Sequence, residues 1–122
     1  MPDFSAAAGT LDRPSRPPCF SWLRSDTGGV ARLTLEGELD AFSSSQFESA
    51  LEGAQVASAS VVVDLEHLAF LDCGGLRVLL AAAERSRLAG THFAVLPGPR
   101  QVERLFDIVD TGPALQRVTL RG

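Results

Sequence analysis

The stretch Val61-Val62-Val63-Asp64-Leu65-Glu66-His67-Leu68-Ala69-Phe70-Leu71-Asp72-Cys73-Gly74-Gly75-Leu76 contains the change of period that decides the architecture. Its first five residues are a nearly continuous β-branched and leucine run with little alternation, the pattern of an interior strand covered on both faces. From Leu76 the period becomes helical: Leu76, Leu79, Leu80 and Ala83 share one face of a helix that ends near Gly90. The residues from Leu65 to Leu76 join strand to helix.

Upstream, Ala31, Leu33, Leu35 and Leu39 alternate with Arg32, Thr34, Glu36 and Glu38, so this segment reads as a strand with one buried face. Asp26-Thr27-Gly28-Gly29 is a turn signal that hairpins it to an earlier strand holding Cys19, Phe20, Trp22 and Leu23. Between the hairpin and the buried run, Ser43 stands three residues before Gln46 as in a capping box. Phe47, Ala50, Leu51 and Ala54 then recur at helical spacing to about Gly53. Downstream, His92 to Leu96 is a short strand closed by Pro97-Gly98-Pro99, and Val102, Leu105, Phe106 and Val109 mark a third amphipathic helix. Leu115 to Leu120 adds a last helical turn or an edge strand.

The expected fold is α/β: one domain over 19–122 with a mixed sheet of four to five strands, parallel interior strands and three to four helices. Residues 1–18 hold four of the seven prolines and read as a disordered tail. A chain of 122 residues, 45% hydrophobic, buries a single core without disulfide or metal staples. Its eleven basic residues, all Arg, face fifteen acidic ones for a net charge of -4, which argues against nucleic acid and anionic membrane as direct ligands. Cys19 and Cys73 lack metal spacing, and no apolar run approaches the ~18 residues of a membrane span. A soluble, reduced, cytoplasmic protein is the expectation.

The candidate chemistry lies at the strand-to-helix junction. A helix starting near Cys73 points free N–H groups and its dipole at the preceding loop, Asp72 is placed to cap it, and Gly74 and Gly75 permit close backbone approach. The plainer reading is a tight connection and nothing more. Cys73 is either a small buried hydrophobe or a thiol sensor with its pKa lowered by the dipole, and a disulfide with Cys19 stays open. His67 and His92 lack a pairing that would make a metal or Cys-His site, and with no Lys there is no nucleotide loop of the G-x-x-x-x-G-K type. No catalytic residue, cofactor or metal is expected, and a homodimer stays open but unsupported by the pattern.

The run Asp64-Leu65-x-x-Leu68-x-Phe70-Leu71-Asp72-x-x-Gly75-Leu76-x-x-Leu79 resembles the signature of STAS domains, above all the bacterial anti-sigma factor antagonists. Leu35-Glu36-Gly37-Glu38-Leu39-Asp40 is similar to the family's G-E-L-D element, and V-x-x-L-F-x-I from Val102 to Ile108 to its last helix. The resemblance implies a protein-binding regulator, not an enzyme. Its partner would be an anti-sigma factor of GHKL-type kinase fold, which phosphorylates a Ser or Thr at the start of the second helix. Phosphate there would add nearly two negative charges to an interface built for a neutral hydroxyl. Here Asp72, Gly75 and Leu76 match, Cys73 takes a small-residue position, and Gly74 stands where the hydroxyl is expected. Binding is then constitutive, or control has moved elsewhere, with Ser43 and Ser44 as alternative phosphorylation candidates.

The implied partner-binding rim comprises Asp40, Ser43, Asp72, Cys73, Gly74, Gly75 and Arg77. Arg77 and Glu84 lie off the inner face of the second helix, whereas Phe47, Val102, Leu105 and Phe106 are expected in the core. The competing assignment is a STAS subunit of a membrane transporter complex that docks on an ATPase or permease.

Overall fold

A computed structural model of the chain describes residues 20–109. The predicted tail, Cys19 and the Leu115–Leu120 piece lie outside these residues. Seven elements follow one another: β1 (Phe20–Thr27), β2 (Val30–Leu39), α1 (Ser44–Ala57), β3 (Ser60–Leu71), α2 (Cys73–Ala89), β4 (His92–Leu96) and α3 (Arg100–Val109). The four strands form one mixed sheet in the order β1-β2-β3-β4, with β1 antiparallel to β2 and the β2–β3 and β3–β4 pairs parallel. The hairpin closes on two residues, Gly28 and Gly29, both at positive φ, as a two-residue turn of this twist requires.

Register explains the sheet's two faces. Ala31, Val61 and Phe93 align across β2, β3 and β4, as do Leu33, Val63 and Val95. All six are buried, together with Phe47, Leu51 and Ala54 of α1 and Leu76, Leu79 and Ala82 of α2. Phe20 and Trp22 extend this core over Phe47, with ring centroids 5.6 and 5.9 Å from it in edge-on geometry. On the opposite face Asp64 is only 3% exposed, and its carboxylate is paired with Arg32 of β2 and accepts the Glu66 N–H. A carboxylate that far from water requires such a partner.

Four sequence expectations need correction. β3 does not stop at Leu65 but continues to Leu71, because β2 keeps pairing with it through Glu36–His67, Gly37–Leu68, Glu38–Phe70 and Leu39–Leu71. Two register shifts insert one extra β3 residue each, so its buried positions fall at Leu65, Leu68 and Leu71 instead of alternating. The connection to α2 is therefore Asp72 alone. α1 runs past Gly53 to Ala57. In α3 the buried residues, Val102 and Phe106, lie in the first two turns; Leu105 is partly buried and Val109 is 40% exposed. The Ser43–Gln46 capping box does not form, for a reason that belongs to the site.

Phe47 touches both the sheet edge and the helix layer, so Phe47→Ala should cost about 3–5 kcal/mol of stability in urea unfolding. A loss below 1 kcal/mol would show that the core does not depend on this ring.

Candidate functional site

Because β2 and β3 are parallel neighbours, the segments leaving their C-terminal ends emerge side by side. Asp72 N–H donates to Leu39 O at 3.3 Å, which ties the two exits together. Asp72 has the extended backbone of an N-cap, and its Oδ1 accepts the Gly75 N–H at 2.9 Å. The expected cap of α2 is thus formed.

The two glycines do different work. A Cβ on Gly75 would sit 2.7 Å from both Leu39 O and Leu71 Cδ1, so this position must lack a side chain for α2 to lie against the end of β2. Gly75 is buried beneath the rim instead of presented on it. Gly74 has no positive φ, and the atoms nearest a Cβ there would be Asp72 Oδ1 at 3.2 Å and the Ala41 backbone at 3.5 and 3.6 Å. A small side chain fits with a slight shift of the carboxylate. The backbone therefore demands glycine at 75 and not at 74.

The loop after β2 is ordered by its own polar groups. Asp40 Oδ1 accepts the Phe42 and Ser43 N–H groups at 3.0 and 3.1 Å, and Ser44 N–H donates to Asp40 O at 2.9 Å. Ser43 Oγ accepts the Asp40 N–H at 3.0 Å. Its proton is placed to donate to Glu38 O or Asp40 Oδ1, at 3.0 and 3.1 Å. Ser43 has helical instead of extended backbone angles, so its hydroxyl turns back into this turn and caps nothing in α1. Hydrogen bonds from the Ser43 backbone first, then from its hydroxyl and the Phe42 N–H, outweigh desolvation and hold the Asp40 carboxyl below the usual carboxylate range. The Asp72 carboxylate and the Ala41 backbone that follows Asp40 border the Gly74 position.

Of the predicted rim, Asp40, Ser43, Asp72 and Gly74 are half-buried and brought together, and Cys73 and Arg77 are exposed on α2. Cys73 is not the small buried hydrophobe that its type suggests, because N1 of this helix faces out. Ser44 Oγ donates to Ala41 O, so both alternative serines are engaged with the same loop. His67 and His92 are exposed on different strands, and among the described residues no group of three or more His, Cys, Asp or Glu side chains is placed to hold a metal. Sequence reading missed Phe42, which stands 94% exposed in the turn. Its signal was an aromatic lying outside both the strand and the helix period.

A family model described as the STAS domain matches residues 24–115. The chain belongs to the STAS-domain family. No individually curated protein matches the sequence. Among solved structures, an anti-sigma factor antagonist from Mycobacterium paratuberculosis is similar at 22% identity and a TM-score of 0.71, over 88% of this chain and 89% of that one. The Bacillus cell fate determinant SpoIIAA in its phosphorylated form is similar at 20% identity and 0.63, over 81% and 92%. Murine Slc26a9, an anion transporter, is similar at 17% identity and 0.57, over 73% of this chain but 14% of the transporter. This STAS domain therefore shares its fold with an anti-sigma factor antagonist, with SpoIIAA and with part of an anion transporter. Among its described residues, no helix is long and apolar enough to cross a membrane.

The contrast between the glycines is measurable. Gly75→Ala should lose about 1–3 kcal/mol in urea unfolding, because the backbone it strikes cannot yield cheaply. Gly74→Ala, which sets slight crowding at Asp72 against the helical preference for alanine, should stay within about 1 kcal/mol of wild type. Equal losses at both positions would mean that the junction does not separate their roles.

Proposed function

We propose that this STAS domain is an anti-sigma factor antagonist of the bacterial cytoplasm: it binds an anti-sigma factor of GHKL-type kinase fold and so frees a sigma factor. The chain acts by occupying its partner and not by catalysis. Asp40, Ser43, Asp72, Cys73, Gly74 and Arg77 form the partner-facing rim, with Gly75 beneath it. The observation that carries the reading is the junction itself. Parallel strands deliver the Asp40 turn and the N-terminus of α2 to one place, and Gly74 lies between them.

Gly74 offers no hydroxyl, so the partner cannot switch this domain off by phosphorylating that position. Gly74 has no positive φ, so its backbone conformation does not impose the missing hydroxyl, which supports reading it as a feature of the binding surface. Phosphate on Ser43 would have to break the turn that its hydroxyl helps to hold. Binding is then constitutive with respect to this site, and control rests on abundance or on the partner.

The test is a pull-down from native lysate with the wild-type chain and Gly74→Asp in parallel. The new side chain would enter beside Asp72, crowding the ordered rim and adding a charge that docking must desolvate, so retention of a GHKL-type kinase should fall by roughly tenfold or more. Melting curves check that the variant is folded. Recovery of a transporter ATPase or permease in place of the kinase would overturn the antagonist reading and favour a transporter subunit, whose surface needs no phosphate switch.

A further inference from the structure

Phe42 is fully presented to solvent, and exposing an aromatic ring forgoes the burial that stabilises every other ring of the core. Leu23, Phe70, Ile108 and Val109 are also exposed, but each lies on a strand or helix face, and Val56 and Leu88 line a groove between α1 and α2. Phe42 differs by its support. Its own N–H and that of Ser43 are fixed on Asp40 Oδ1, the following Ser44 N–H is fixed on Asp40 O, and the preceding Ala41 backbone lies against the Gly74 position. The ring therefore projects from a turn whose backbone is already ordered, which lowers the entropy cost of using it in an interface.

The surroundings specify what it meets. Asp40 is adjacent in the turn, Asp72 borders the neighbouring helix start, and the exposed Glu38 leads into the loop. An aromatic ring on an ordered turn, beside the Asp40 carboxylate, complements an apolar pocket edged by Arg or Lys side chains, and aromatic anchors of this kind are enriched among residues that dominate binding. A membrane or nucleic acid would be repelled by the same carboxylates.

We propose that Phe42 is the anchor by which the domain docks on its protein partner, the ring entering an apolar pocket bordered by basic side chains. This rests on the antagonist reading and names the residue that does the binding. The experiment measures binding kinetics of the purified GHKL-type anti-sigma factor kinase of the same organism to wild-type chain, Phe42→Ala, Phe42→Leu and Gln46→Ala. Phe42→Ala should weaken binding about 30-fold or more, mainly through faster dissociation, as loss of a dominant anchor does. Phe42→Leu should recover much of that loss, Gln46→Ala, at an exposed position in the first turn of α1, should stay within about twofold, and all should melt like wild type. Association of the wild type should also slow as salt screens the carboxylates. Wild-type binding with Phe42→Ala within about threefold of it would overturn the anchor and leave the antagonist reading standing. Absence of wild-type binding would overturn the reading and the anchor together.

Discussion

The close approach of α2 to the end of β2 is the constraint on which the site depends. Gly75 lies so near Leu39 O and Leu71 that any side chain would force the helix away, and Asp72 then closes the contact by capping Gly75 and donating its N–H to Leu39. Separating these backbones would cost more than stability. It would part the N-terminus of α2 from the Asp40 turn, and the surface they build would no longer exist.

That surface is held by backbone and short polar side chains, not by long flexible ones. Asp40 and Ser43 satisfy one another and the three N–H groups around them, so the turn is set before any partner arrives. The polar groups of the turn are spent on conformation, and what faces outward is an aromatic ring, a thiol, carboxylates and the Arg77 guanidinium, a set suited to recognition. Gly74 is the exception within this ordered frame, since the geometry tolerates a side chain there and the sequence supplies none.

Most of the fold was legible because local signals agreed with tertiary ones. The alternation from Ala31 to Leu39, the Gly28-Gly29 turn and the helical spacing after Leu76 each named an element that formed. The second half of β3 was hidden because two bulges turn a period of two into steps of three, leaving Leu65, Leu68 and Leu71 without a strand's pattern. Ser43 was misread for a related reason: a serine can satisfy a helix end or a turn, and only the position of Asp40 in space decides between them. Asp72, Gly74 and Gly75 were identified as a junction from sequence, but the different roles of the two glycines needed the distance to Leu39. Exposure was the least legible quantity. Cys73 and Phe42 are of types usually buried, and their positions at a helix start and a turn tip place them outside.

The most direct measurement of the central claim, that this is a binding surface without a phosphate switch at Gly74, is affinity for the purified anti-sigma factor kinase before and after incubation with ATP, followed by intact mass. The wild-type chain should keep its mass and its affinity. Gly74→Ser, with a hydroxyl restored beside Asp72, should bind before incubation, then gain one phosphate from ATP with release of ADP and lose affinity by roughly tenfold or more. A phosphate acquired by the wild-type chain, with the same loss of binding, would contradict the account, because the switch would then lie on another residue of this domain.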